Sequence, residues 1–199
     1  MREGGVSLLK PKPATYADIE ALPPHVTGEI LFGSLVTQPR PASPHIVAAS
    51  AMGYLLGPPF HFGSGGPGGW IILAEPEIHL GPHVVVPDIA GWKRERFTDL
   101  PGVAFYSVAP DWVCEVLSPS TAKRDRFDKL RIYATYAVEH VWLLNPLDRG
   151  LEVFHRHGTE WILTHTFKDD DSVAAPPFDA ITFSLGHLWP FDAPADSNS

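Results

Sequence analysis

Two apolar segments, each interrupted by a single acidic residue, constrain the fold more than any other feature of the chain. The segment VVVPDIAGW places Asp88 after four uncharged residues, and WVCEVL encloses Glu115 between apolar neighbours. Strands that are apolar at successive positions are usually central in a sheet and covered on both faces. The chain is therefore expected to build a sheet with helices packed against both sides.

The other segments alternate between helix and strand signals. Helices are predicted for ATYADIEALP, for His45 to Leu56 with Ser43-Pro44 as N-cap and first turn, and for Thr121 to Ala137. Strands are predicted for Gly28 to Val36, Trp70 to Leu80, Val84 to Trp92, Asp111 to Leu117, Val141 to Asn145, Leu151 to His155 and Trp161 to Phe167. This order indicates an α/β fold with a mixed β-sheet flanked by helices.

The third predicted helix follows directly after the strand that carries Glu115. Its buried stripe is predicted from apolar residues three and four positions apart, which are Phe127, Leu130, Ala134 and Ala137. One flank beside that stripe holds Arg126, Lys129 and Tyr133. Earlier in the chain, GPPFHFGSGGPGG reads as a flexible loop typical of a hairpin connection, because it lacks the Gly-Lys-Ser/Thr ending of a phosphate-binding loop.

The chain of 199 residues has the size and the 44% hydrophobic content of one packed domain. We expect that domain to span residues 14–191, with tails at 1–13 and 192–199. No apolar run is long enough for a signal peptide or a membrane span, so a cytoplasmic protein is expected. The single cysteine, Cys114, has no partner for an internal disulfide and is predicted to be an inert core residue.

Charge excludes a general nucleic-acid coating protein, since such binding comes from neutralising phosphates and this chain has a formal net charge of −8. The basic residues are nevertheless clustered: five of fifteen lie between Lys123 and Arg131, and three lie in residues 93–96. Each cluster has two interpretations, a solvated surface or a phosphate-facing patch. Under the second interpretation, the nucleic-acid-binding candidates are Lys123, Arg124 and Arg126.

Asp88 and Glu115 are the candidates for chemistry, because a carboxylate in a buried strand loses hydration unless a cation replaces the water. A metal ion is one such cation. The alternatives are a buried salt bridge or an acid that reaches water at a strand end, and the occurrence of both acids together favours the metal. The segment 118–121, SPST, ends the strand and caps the next helix, which brings the basic run to the same strand end.

Other catalytic classes lack their signatures. The ten histidines include no cluster at zinc-ligand spacing, and no Gly-x-Ser-x-Gly elbow of a serine hydrolase occurs.

The acidic segments resemble a known group. Residues 86–89 (VPDI) and 115–121 (EVLSPST), followed by Asp125, Lys129 and Tyr133, resemble the PD-(D/E)XK nuclease superfamily, and specifically its Uma-type restriction endonucleases. Glu29, His45 and the segment 141–144 also match that family. The resemblance covers roughly residues 15 to 190 and implies a restriction-endonuclease-like fold.

The resemblance implies an endonuclease that hydrolyses phosphodiester bonds, most simply those of DNA. Mg²⁺ or Mn²⁺ would be held by Asp88, Glu115 and the backbone carbonyl of Val116. The superfamily's Glu-x-Lys motif reads Glu115-Val116-Leu117 here, so the resemblance implies that Lys129 supplies the catalytic charge from the following helix.

Two further residues receive supporting roles from the resemblance. Glu29 would add to the metal site or fix a ligand, and Tyr133 would orient Lys129 or a phosphate. A homodimer is expected because a double-strand cutter needs two sites and this chain has one. The rival interpretation is a non-catalytic binding or assembly module that keeps the nuclease fold, which the net acidity and the displaced lysine favour.

Overall fold

The computed structural model describes residues 12–38, 40–97 and 102–191, and the predicted tails lie outside these ranges except for residues 12 and 13. The α-helices are α1 (Tyr16–Glu20), α2 (Ser43–Leu56), α3 (Ala122–Arg124) and α4 (Leu130–Thr135). π-helical turns occupy Gly57–Phe62 and Asp125–Lys129, and 3-10 turns occupy Arg94–Arg96 and Leu185–Leu188. The strands are β1 (Thr27–Leu31), β2 (Ser34–Gln38), β3 (Trp70–Ala74), β4 (Ile78–Leu80), β5 (His83–Val85), β6 (Ile89–Lys93), β7 (Trp112–Val116), β8 (His140–Asn145), β9 (Gly150–His157), β10 (Glu160–Lys168), β11 (Ser172–Val173) and β12 (Phe183–Ser184).

A six-stranded sheet in the order β10-β9-β8-β7-β6-β3 forms the centre of the molecule. Strands β7 and β8 run parallel and the other pairs are antiparallel, so the sheet is mixed. Every residue of β7 is buried. The prediction of a mixed sheet flanked by helices is confirmed.

The alternation of side chains along β7 divides the core into two layers. Trp112, Cys114 and Val116 pack in one cluster with residues of α2, and Cys114 is buried with a free thiol. Val113 and Leu117 pack in the other cluster with residues of α4. Successive residues of a strand point to opposite faces, so Glu115 belongs to the layer under α4.

A four-stranded sheet, β2-β1-β5-β4, contributes to the layer that contains α4. The single strand expected for Gly28 to Val36 is wrong, because β1 and β2 form an antiparallel hairpin there. Phe32 (φ 51°) and Gly33 (φ 78°) lie in the left-handed region, and this conformation reverses the chain.

The two longer predicted strands, Trp70 to Leu80 and Val84 to Trp92, are each divided between the two sheets. The first breaks at Glu75, whose φ of 47° is incompatible with an extended strand. The second breaks at Pro87, which has no N–H to donate to a ladder. The second break places Asp88 immediately before β6.

The second helix begins earlier and continues further than predicted. Its N-cap is Ala42 rather than Ser43, and no side chain caps it. The first six residues of the predicted loop GPPFHFGSGGPGG continue α2 as a π-helical turn, Gly57–Phe62, stabilised by burial of Phe60. The segment connects α2 to β3 and is not a hairpin connection.

The third helical segment differs most from its prediction. It consists of α3, a π turn and α4, and the predicted buried stripe is confirmed only in part: Ala134 is buried and Leu130 partly buried, but Phe127 is 68% exposed and Ala137 is exposed. Asp125, Lys129 and Ile132 are buried instead. A wheel of 3.6 residues per turn does not describe the wider π turn, and a search for apolar residues overlooks charged side chains that are buried as pairs.

No helix of the described residues is long and apolar enough to cross a membrane.

Alanine substitutions measure how much each side of the third helical segment contributes to stability. Phe127→Ala should change the free energy of unfolding by less than about 0.5 kcal/mol, because the side chain is exposed. Ile132→Ala should lower it by about 2–5 kcal/mol, because it empties part of the core. Urea unfolding followed by circular dichroism provides both values, and equal losses in the two variants would contradict the observed packing.

Candidate active site

Asp88 and Glu115 lie at the same end of the β6–β7 ladder. Asp88 immediately precedes β6, Glu115 is on β7, and the last pair of this antiparallel ladder is Ile89 with Cys114. The Val116 N–H donates to Asp88 Oδ2 at 2.7 Å, which fixes the aspartate against the edge of β7.

Lys129 is the centre of the charged cluster beside Glu115. Its Nζ lies 2.9 Å from Glu29 Oε1, 3.1 Å from Glu115 Oε2 and 3.8 Å from Asp125 Oδ1. It also donates to the backbone carbonyl of Val86 at 3.3 Å. The lysine side chain is only 1% exposed. Three carboxylates from three different segments therefore share one buried ammonium group.

The π turn Asp125–Lys129 and the start of α4 aim the helix-borne residues at this cluster. Asp125 and Lys129 are four positions apart and both face inward. Tyr133, a further four positions along, donates its hydroxyl to Glu115 Oε1 at 2.5 Å. Burial, together with the negative charge of Glu115, raises the pKa of Tyr133 well above its ordinary value. Tyr133 is thus a neutral hydrogen-bond donor.

Glu29 ties the smaller sheet to the cluster. Its side chain is completely buried, and Oε1 accepts from the Val86 N–H at 2.8 Å. Gln38 donates to Oε2 at 2.9 Å, and Arg124 Nε lies 3.8 Å from the same oxygen. Each oxygen of Glu29 thus has at least two polar neighbours, and one of them is Lys129.

The cluster contains more negative than positive charge at its centre. Burial alone would lower the pKa of Lys129, but the carboxylates of Glu115 and Glu29 raise it above its ordinary value, so the lysine stays protonated. Burial raises the pKa of Glu115 well above its ordinary value, and the charge of Lys129 opposes that shift only in part. Burial likewise raises the pKa of Asp125. An additional cation would stabilise the ionised form of these acids.

His45 is a site residue to which the sequence assigned no role. Its Nε2 lies 3.1 Å from Asp88 Oδ1, whereas the Val116 N–H donates to the other oxygen, Oδ2. Burial would lower the pKa of His45, but the hydrogen bond and charge of Asp88 raise it overall. The family resemblance marked the position of His45 at the start of the helix, and only the fold brings it to Asp88.

The basic run is divided between pairing and exposure. Arg126 forms an ion pair with Glu152 on β9, and Arg124 is mostly buried beside Glu29. Lys123 is exposed and takes part in none of the ion pairs formed by the described residues. In the other cluster, Lys93 pairs with Glu139 and Arg96 with Asp111, as the solvated-surface interpretation expects.

The carboxylates at the site keep acceptor capacity beyond their protein partners. Asp88 and Glu115 each have a protein partner on both oxygens, yet a carboxylate offers about four lone-pair directions. The N–H and C=O of one residue point to the same side of a strand, so the Val116 carbonyl faces the Asp88 side. Among the described residues, no group of three or more His, Cys, Asp or Glu side chains could hold a metal. The oxygen donors that remain for one are two carboxylates and one backbone carbonyl.

A polar cleft opens in front of Asp88 and gives solvent access to the site. It encloses about 350 Å³ and lies between the SPST segment and the start of α2. Its hydroxyl and basic groups come from Ser118, Ser120, Thr121, His25 and Arg40. Asp88 is 16% exposed and Glu115 only 2%, so a ligand in this cleft meets Asp88 first.

The same fold occurs in a solved structure from Anabaena variabilis, described as "a putative nuclease belonging to DUF820". The two proteins are 21% identical, with a TM-score of 0.69 over 89% of this chain and 98% of that chain. The likeness establishes a shared fold. No protein of curated function matches the chain.

Family membership is established by sequence. The Uma2 family, described as "Putative restriction endonuclease", matches residues 13–186. The match spans most of the chain, and the chain belongs to the Uma2 family. The resemblance carried by residues 86–89 and 115–121 is therefore confirmed.

The crowding of acids around Lys129 has a consequence for stability. Glu115→Gln keeps the shape of the side chain and removes one charge, so it should raise the melting temperature of chelator-treated protein. It should also abolish the extra stabilisation that Mn²⁺ gives the wild type, which mass action sets at roughly 2.7 kcal/mol when free metal is about a hundred times its dissociation constant. Differential scanning calorimetry measures both effects.

Glu160→Gln, an exposed acid at the start of β10, is the matched control and should leave both quantities unchanged. If Glu115→Gln lowers the melting temperature without metal, and Mn²⁺ stabilises wild type and variant equally, then Glu115 serves only as the ion-pair partner of Lys129 and the metal site is wrongly assigned.

Proposed function

We propose that the protein is a metal-dependent endonuclease that hydrolyses phosphodiester bonds of DNA. The observation that carries the proposal is the position of Asp88, bonded to the Val116 N–H next to Glu115 at the end of the β6–β7 ladder, with the ammonium group of Lys129 bonded to Glu115. Membership of the Uma2 family supports the nuclease class. We propose Mg²⁺ or Mn²⁺ as the cofactor.

The cation would be held by Asp88, Glu115 and the Val116 carbonyl. When bound, it supplies Lewis-acid polarisation of a phosphoryl oxygen and a lower pKa for a water molecule. Asp88 is the more exposed carboxylate and would lie nearer to the phosphodiester. Glu115 is buried and is bonded by the hydroxyl of Tyr133 and the ammonium group of Lys129. These two contacts orient Glu115 before any ligand arrives.

Lys129 occupies the functional place of the missing lysine of the Glu-x-Lys motif. The usual position is filled by Leu117, which is buried in the core. The ammonium group approaches Glu115 from the facing π turn instead. We propose that its positive charge stabilises negative charge that accumulates on the phosphate, and that Glu29 positions it.

Nucleic-acid phosphates are proposed to contact Lys123, with Arg124 and Arg126 beside it on the same helical segment. Lys123 is the exposed member of the three, so it is the residue available to reach a phosphate outside the cluster. We further propose a homodimer, because the described residues of one chain form one such site and a cut through both strands needs two. Linear plasmid as the product would indicate a cut through both strands by a dimer, and nicked plasmid would indicate a cut through one strand.

A non-catalytic module is the second candidate. The partners already present on every oxygen of Asp88 and Glu115, together with the net charge of −8, favour it. A binding module would keep these contacts and would not need a cation.

Nicking of supercoiled plasmid decides between the two candidates. Wild-type protein with Mn²⁺ should convert the plasmid to nicked or linear DNA, and Asp88→Ala should reduce the rate by about 100-fold or more because the cation loses a ligand. Glu160→Ala is the control for removal of an acid and should cleave like the wild type. Absence of metal-dependent cleavage in the wild type, on DNA and on RNA, would favour the binding module.

Lys129→Met tests the role of the buried ammonium group. Cleavage should fall by about 100-fold or more with little change in Mn²⁺ affinity, since the lysine is not a ligand. The variant should also lose stability, because its removal leaves Glu29 and Glu115 without their shared cation. Assays therefore run well below its melting temperature, with circular dichroism as the check of folding and the exposed Lys168→Met as control. Full cleavage by folded Lys129→Met would reduce the lysine to a structural role.

A further inference from the structure

An apolar groove of about 440 Å³ lies directly beside Asp88. It runs between α2, with its π turn, and β3, which is an edge strand of the central sheet. Its walls include the apolar residues Ala49, Ile72 and Ile89. Asp88 and His45 line both this groove and the polar cleft, so the two spaces meet at the candidate active site.

Large apolar side chains stand exposed along the groove. Tyr54 is 79% exposed, Phe62 78% and Ile46 50%. Single exposed apolar residues are ordinary, but several around one concave site mark a place where a ligand binds. Two of the three are aromatic, and an aromatic ring offers a flat face for stacking.

Two glycines leave the groove open on its helical side. Gly53 and Gly57 are four residues apart and both line the groove. A Cβ at either position would meet no atom within 4 Å, and Gly57 has an ordinary helical φ of −58°. Neither packing nor backbone conformation requires glycine here, although glycine destabilises a helix interior relative to alanine. The space that a larger side chain would fill is the groove itself.

The edge of β3 is closed to an added strand at this point. His61 Nδ1 accepts from the Ile72 N–H at 3.0 Å, which uses the group that a docking peptide strand would need. Because Nδ1 is the acceptor, the ring proton of the neutral imidazole is on Nε2, a hydrogen-bond donor on a residue that lines the groove. Ser50 adds an exposed hydroxyl.

We propose that the groove holds one unpaired nucleobase of the strand whose phosphate lies at Asp88, an inference that rests on the proposed nuclease function. The base stacks on Tyr54 or Phe62, and its polar edge faces Ser50 and His61. Bases inside a duplex are stacked and paired, so only an unpaired or flipped base can enter. The substrate class is thereby narrowed to single strands and to duplexes with an unpaired nucleotide beside the scissile bond.

Binding by fluorescence anisotropy tests the groove without cleavage. All variants are made in a Glu115→Gln background, and the probes are a labelled oligothymidylate, an abasic oligonucleotide of equal length and a blunt hairpin duplex. Tyr54→Ala should weaken binding of the oligothymidylate by about 10-fold, because one stacking contact is lost, and should leave the abasic and duplex probes unchanged. Phe191→Ala removes an aromatic residue that is 86% exposed outside the groove and should change nothing.

Gly53→Leu fills the groove from the helix side. It should keep or raise the melting temperature, because leucine favours helix, while weakening oligothymidylate binding like Tyr54→Ala. The inference is overturned if the oligothymidylate does not bind, or if both variants leave its binding unchanged or weaken all three probes equally. It is also overturned if Tyr54→Ala converts a dimer to a monomer in sedimentation, since the groove would then be covered by a second copy.

The plasmid assay separates this inference from the proposed function. Base-dependent binding without cleavage of either the plasmid or the oligothymidylate by the wild type with Mn²⁺ would contradict catalysis and leave a single-strand-binding groove. Cleavage with base-independent binding would contradict the groove assignment alone.

Discussion

The shared bonding of Lys129 by Glu29, Glu115 and Asp125 is the interaction on which the site depends. Those acids come from the small sheet, the central sheet and the helical segment, so one buried ammonium group joins three parts of the fold. A buried charge destabilises the fold unless it is paired. Here the ammonium group and the carboxylates offset each other's charge. The proposed metal ion would offset the surplus of carboxylates over cations in this cluster.

The central sheet makes this arrangement possible. Its strand β7 is buried at every position, and the alternation along it puts Cys114 into one apolar layer and Glu115 into the other. Asp88 reaches the same place from a neighbouring strand because Pro87 interrupts the chain just before β6. Glu115 is therefore on a strand and Asp88 directly precedes one, while His45 approaches from the start of α2.

The sequence predicted the parts of the site that depend on local pattern. A lone acid in an apolar strand was enough to select Asp88 and Glu115, and the resemblance to a nuclease family selected Lys129 and Tyr133. The prediction that Phe127 is buried was wrong. The spacing of apolar residues gives no signal for a helical segment whose buried side chains include charged residues paired with one another. His45 had no assigned role, since its contact with Asp88 exists only when helix and strand end meet.

The position of the ammonium group depends on the number of residues in the π turn Asp125–Lys129 as well as on their identity. A π turn holds one residue more than a regular α-helical turn, so deletion of one residue between Asp125 and Lys129 would leave these two side chains three positions apart and shift the ammonium group within the cluster. The buried ion pairs of Lys129 would be disturbed while each of its charged partners remained present in the sequence.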